Sequence, residues 1–205
     1  MKKIIALTLA LILALPLAAG GEPKTRQEAE AAPKNFSISL VFDAEGQKPY
    51  HFYQASCEEG MVFEMKGERG SLYFVDFVAN KMYDLDPETK TGESEILDPN
   101  DPDDMYRFFD GNILSHTFTF SSYKDNMTKT GNEKIIGRDT TVYTVKFDAA
   151  NAELKIWVDD EYGFSLKYVQ TGGNKMSMEV TEFKDGGVTV KDMKNKIKFD
   201  EYKID

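Results

Sequence analysis

The chain has 205 residues with one cysteine and two histidines, and its 35 acidic side chains outnumber 25 basic ones. A net charge of −10 repels nucleic acid and anionic membrane surfaces rather than attracting them, so no nucleic-acid partner is expected. Fourteen Phe and ten Tyr give a folding composition rather than a disordered one, and one thiol cannot make an internal disulfide.

In chain order, the first element is an export signal. Lys2 and Lys3 precede an apolar run from Ile4 to Leu17, broken only by Thr8 and Pro16, and small residues follow from Ala18 to Gly21. That order predicts a signal peptide over 1–20. The run is shorter than the roughly 20 residues a membrane-spanning helix needs, and no later segment approaches that length. Leu17-Ala18-Ala19, or Ala18-Ala19-Gly20 one step on, matches the start of a lipobox. The next residue is Gly20 or Gly21, so no thiol stands there to carry a lipid. The expected location is the periplasm or the extracytoplasmic face of the membrane. Losing Lys2 and Lys3 takes the charge from −10 to −12. Residues 21–34, polar and ending near Pro33, read as a linker. Residues 35–205 read as a single domain.

From Phe36 the pattern has period two. Phe36, Ile38, Leu40 and Phe42 alternate with Ser37, Ser39 and Val41, which predicts a strand with one apolar face. Further strands are expected at Tyr50–Ala55, Met61–Lys66, Ser71–Phe77 and Met82–Leu85, joined by turns at Gly46, Gly67–Gly70 and Asn80. Asp98–Asp104 is an acidic, proline-broken loop. After it Met105, Phe108 and Phe109 are spaced for a short amphipathic helix, and Ser115–Ser122 returns to strand alternation. Strands follow at Thr141–Phe147, Glu153–Asp159, Phe164–Gln170 and Met176–Thr181, and Val188 and Val190 read as more of the same.

Two stretches resemble LolA-like envelope proteins, the lipoprotein-carrier and lipoprotein-sorting superfamily. One is Gly131, Glu133, Ile135 and Gly137 with Val142-Tyr143. The other is Lys155-Ile156-Trp157-Val158-Asp159, followed by Gly163 and Lys167. The resemblance is firm over 131–183 and loose over 36–130, and Ser165 stands where proline is usual. It implies a mainly β fold with a few helices: a curved antiparallel half-barrel with a helix lid. It also implies a protein that carries lipids or lipoproteins between membranes, or senses envelope stress. A sheet with one apolar face needs a cover, and Met105–Phe109 is the candidate lid.

No enzyme motif is present: His51 and His116 are far apart, and neither H-E-x-x-H nor G-x-S-x-G occurs. No catalysis and no cofactor are expected. The Asp98–Asp104 acids miss the EF-hand pattern, since Pro102 takes a ligand position, so a solvated loop and helix cap is the reading. Cys57 reads as a buried or hairpin-edge bystander, a small hydrophobe. The expected site is an apolar groove lined by Met61, Phe63, Met65, Phe108, Phe109, Leu154, Ile156, Val158, Phe164, Leu166, Tyr168, Met176 and Met178. Its expected occupant is a lipid or a lipoprotein acyl chain, with a protein partner as the alternative, on a sensor or regulatory module of the same fold. Ordinary core packing also accounts for the methionines. Trp157 lies opposite Ile156 and Val158, over a lysine stem or on a partner surface.

Overall fold

The computed structural model describes residues 33–67, 70–98, 127–147, 151–173 and 175–205. The signal, most of the linker, the Met105–Phe109 helix with Phe108 and Phe109, the Ser115–Ser122 strand and most of the acidic loop lie outside these residues.

The described chain is one open sheet. Its strands are β1 (Phe36–Ala44), β2 (Tyr50–Cys57), β3 (Gly60–Lys66), β4 (Ser71–Asp76), β5 (Lys81–Asp86), β6 (Thr91–Ile96), β7 (Thr128–Ile135), β8 (Arg138–Phe147), β9 (Ala152–Asp159), β10 (Ser165–Thr171), β11 (Met176–Asp185) and β12 (Lys203–Ile204). The order across the sheet is β12-β6-β5-β4-β3-β2-β1-β11-β10-β9-β8-β7. Two hairpin-built meanders, β1–β6 and β7–β11, therefore meet where β1 pairs with β11. All pairings are antiparallel except that of the short β12 with β6. Neighbouring antiparallel strands need only tight turns, in which Gly46, Asn80, Lys90 and Gly137 take positive φ. Between β7 and β8 both turn residues take positive φ, Ile136 at 47° and Gly137 at 83°. A β-branched residue is strained there, whereas glycine is not.

Alternation sends Phe36, Ile38, Leu40 and Phe42 to one face, here called the front, where all four are buried. Cross-strand register carries that face outward on both sides. Leu40 stands opposite Phe52 and Val180, and Phe42 opposite Met178. A bulge between Ser39 and Leu40 shifts the β1·β11 register once. The sheet bends toward its β7 end. Arg138 of β8 stacks on Phe183 of β11, three strands away, and Ile135 of β7 packs against the front cluster. Three strand spacings in a flat sheet are about 14 Å, too far for a direct stack.

One helix is described, α1 (Val190–Ile197), and it differs from the strand expected at Val188 and Val190. A capping box starts it: the Thr189 hydroxyl accepts the Asp192 N–H at 3.1 Å, and the Asp192 carboxylate accepts the Thr189 N–H at 3.1 Å. Val190, Met193 and Ile197 then fall on one side. They cover Ala55, Cys57, Val62, Leu72, Phe74 and Leu85 on the back face. The contact is close because β3 begins with glycine. A Cβ on Gly60 would sit 2.7 Å from the Val75 carbonyl oxygen and 3.1 Å from a Val190 methyl. Cys57 is free and buried in this layer, as expected of a small hydrophobe. Four further elements escape the sequence reading: β6, β7, β12 and the 3-10 turn Phe199–Glu201, whose Phe199 ring lies 5.2 Å from that of Phe74.

Candidate functional site

All eleven described candidates for the groove share the front face. From β1 outward, Phe52 pairs with Met65, Gln54 with Phe63 and Ser56 with Met61. On the other side Met178 pairs with Tyr168, Tyr168 with Ile156, and Gln170 with both Met176 and Leu154. Among the described residues the face divides into three buried clusters. Phe164, Leu166 and Met178 join the β1 residues, with Phe63, Met65, Tyr168 and Met176 packed around them. Leu154 and Ile156 pack with Val145, and Val158 lies beside them. Met61 packs with Val75 and Leu97.

Burial separates the eleven by role. Met61, Leu154, Ile156, Phe164, Leu166 and Met178 are buried and belong to the core. Phe63, Met65, Val158, Tyr168 and Met176 are half-buried. An aromatic ladder runs across the half-buried part. Tyr50, Phe52, Phe63 and Tyr73 follow one another at ring separations of 6.4, 6.2 and 6.5 Å. Tyr50, Phe52 and Tyr73 are absent from the sequence-based site, although Tyr50 and Phe52 alternate as strongly as the residues included. Buried Gln54 adds a polar group to this surface, donating to the Met61 sulfur at 3.1 Å.

The ladder ends in acid. Phe63 stands opposite Tyr73, Tyr73 opposite Asp84, and Asp84 opposite Glu93. Burial, then the Asp84 charge, pushes the Tyr73 phenol up to about 12. Burial, then Glu93 and Asp86, raises the Asp84 carboxyl above its ordinary value. Burial alone pushes the Tyr168 phenol well up. Among the described residues, no group of three or more His, Cys, Asp or Glu is placed to hold a metal ion, and no helix is long and apolar enough to cross a membrane.

The two stretches that carry the family resemblance are cross-links of the sheet. The Glu133 carboxylate accepts the Trp157 indole N–H at 2.8 Å, which holds it below the usual carboxylate range. Lys155 and Lys167 lie over the Trp157 ring at 4.5 and 5.5 Å. Trp157 thus covers lysine stems on the back face, the first of its two sequence readings. Asp159 is buried at the end of β9. It accepts Arg138 Nε at 2.6 Å and Nη2 at 3.1 Å, and the Tyr162 N–H at 2.8 Å. Arg138 also donates to Glu161 at 2.8 Å and sits 5.1 Å from the Tyr162 ring. The Tyr162 hydroxyl donates to Asp185 of β11. These residues fix the bent end of the sheet.

No family model matches the chain, and no curated protein matches it. Solved structures with some likeness include a chain of the Pseudomonas aeruginosa MucA/MucB complex. It is 14% identical with a TM-score of 0.47, over 82% of this chain and 57% of that one. An uncharacterized conserved protein from Thermus thermophilus is 7% identical with a TM-score of 0.42, over 84% and 88% of the two chains. PNGF-II is 12% identical with a TM-score of 0.36, over 83% and 30%. The chain therefore spans little more than half of the first and less than a third of the last.

Proposed function

We propose that this is a noncatalytic cell-envelope protein that holds a lipid, an acyl chain or a lipoprotein's acyl group against the front face of its sheet. The observation that carries this reading is the half-buried set Phe63, Met65, Tyr168 and Met176, grouped around one buried apolar cluster. A core that only stabilises the fold buries such side chains, since each large one contributes about 1.5–3 kcal/mol when fully removed from water. Unbranched thioethers beside aromatic rings also adapt to irregular chains. The export signal read at 1–20 and the LolA-like stretches support the same conclusion.

Native mass spectrometry of the protein purified from its own envelope tests the proposal. The expected result is a lipid adduct that is lost in a Met65→Gln, Met176→Gln variant that melts like the parent. A bare chain mass, with a melting temperature unmoved by added phospholipid or acyl chains, overturns it. A protein co-purified without lipid favours the second reading, a sensor or regulatory module on the same fold. The exposed side chains of Val78 and Ile96 favour that reading.

A further inference from the structure

Methionine is distributed unevenly between the two faces of the sheet. Of the nine methionines, all but Met1 and Met105 lie among the described residues. Among these only Met193 packs on the back face, between α1 and the sheet, where it is fully buried. The others pack on the front and divide by exposure. Met61 and Met178 are core side chains, 7% and 4% exposed. Met65, Met82, Met127 and Met176 are half-buried. Each of these four stands at the margin of a front-face cluster, and together they reach all three. Met65 and Met176 pack against the cluster centred on β1, Met127 against Val145, Leu154 and Ile156, and Met82 against Met61, Val75 and Leu97. Cross-strand register agrees: Met65 stands opposite Phe52 and Ser71, Met82 opposite Val75, and Met176 opposite Ala44 and Gln170.

Sulfur at these margins is the soft nucleophile that solvent reaches. The one thiol, Cys57, is buried in the back-face layer and so is shielded from oxidants. A thioether needs no ionisation to react, so its exposure decides whether an oxidant meets it. Met61 is guarded twice, by burial and by the Gln54 amide, which donates to its sulfur at 3.1 Å. Hydrogen peroxide balances the step. The sulfur lone pair attacks one peroxide oxygen, the O–O bond breaks, and the second oxygen leaves as water with both protons. The sulfur gives up two electrons and becomes a sulfoxide, while the peroxide is reduced. An apolar group is thereby exchanged for a strongly polar S=O. At a half-buried position the new oxygen turns to water and the fold survives, whereas inside a core it would be a stranded polar group.

We infer that Met65, Met82, Met127 and Met176 are sulfoxidation sites that turn the front face from apolar to polar, so that a peroxide releases an apolar chain held there. The release rests on the acyl-chain function proposed above; the pattern of oxidation does not. Graded hydrogen peroxide on the purified protein, followed by peptide mass spectrometry, tests the sites. The four half-buried methionines should gain oxygen well ahead of Met61, Met178 and Met193, and the gap should close in urea. The oxidised protein should still melt cooperatively and leave a phenyl-agarose column earlier. It should bind parinaric acid, a fluorescent fatty acid, at least tenfold more weakly. Methionine sulfoxide reductases for both epimers should restore binding. A Met65→Leu, Met82→Leu, Met127→Leu, Met176→Leu variant keeps side-chain volume and should bind like the parent both before and after peroxide. Equal oxidation of half-buried and buried methionines in the folded protein overturns the assignment of the sites. Unchanged retention and affinity after oxidation, or the same loss in the leucine variant, overturns the switch. A parent that binds no parinaric acid before oxidation overturns the acyl-chain reading instead, and the oxidation map and column retention then decide the sites on their own.

Discussion

Asp159 keeps only 1% of its side chain exposed, and Arg138 covers it with 21% of its own exposed. The fork of the guanidinium matches both carboxylate oxygens, and its flat face lies against Tyr162 and Phe183. Such a pair adds little over a well-packed apolar pair, but removing one partner strands a buried charge. Arg138→Met should therefore destabilise the protein by roughly 3 kcal/mol. Arg138→Lys should restore only part of this, because a point charge replaces neither the fork nor the stack. Urea unfolding of the three proteins measures the difference; parent-like stability of the Met variant contradicts this account of the bend.

At the scale of elements, α1 separates two contributions. Thr189→Ala removes one half of a capping box on an exposed helix end and should cost about 1 kcal/mol. Met193→Ala empties a fully buried position between helix and sheet and should cost about 2–5 kcal/mol. Chemical denaturation ranks them, and a larger loss for the cap would mean that α1 is held by its own hydrogen bonds rather than by the sheet. The same helix marks where the sequence stops being legible. Val188 and Val190 continue the alternation of β11, so the period-two pattern masks the helix start. The Thr189–Asp192 box and the Val190, Met193, Ile197 spacing were the available signals. β6 is hidden for the opposite reason: Thr-Gly-Glu-Ser-Glu-Ile holds one apolar residue, because an edge strand buries little. Strands β1 and β9 read clearly since apolar residues alternate along each and most of them on one face are buried. The candidate site shows the same division. Alternation fixed which face Met61 or Tyr168 occupies, but not which of them would be core and which half-exposed. That depends on neighbours distant in sequence, such as Leu97 against Met61.

At the scale of the molecule, the excess of acid makes stability depend on pH through a few carboxylates. Asp86 accepts backbone N–H groups from Thr89 and Glu88, Glu133 accepts Trp157, and Asp192 accepts Thr189; each is held below its ordinary pKa. A depressed carboxyl contributes stability above its unfolded value, and that contribution is lost as pH falls through the folded one. Asp84 has the opposite sign: its raised pKa means that its charge opposes folding at neutral pH and that protonation relieves it. The melting temperature should hold from neutrality to about pH 5 and then fall below about pH 4. Asp84→Asn should gain a few tenths of a kcal/mol at pH 7, limited by solvent screening, and nothing in acid. A lower melting temperature for this variant at pH 7 contradicts the like-charge reading of the Asp84–Glu93 pair.

The central position of β1 sets an order of events during synthesis. β1 leaves the ribosome first among the strands and can pair with β2 at once. Its other neighbour, β11, begins at Met176, about 130 residues after β1 ends at Ala44. At the usual 5–20 residues per second, roughly ten seconds pass before that neighbour exists. Through that interval one side of a strand bearing Phe36, Ile38, Leu40 and Phe42 has no native partner and is open to non-native pairing.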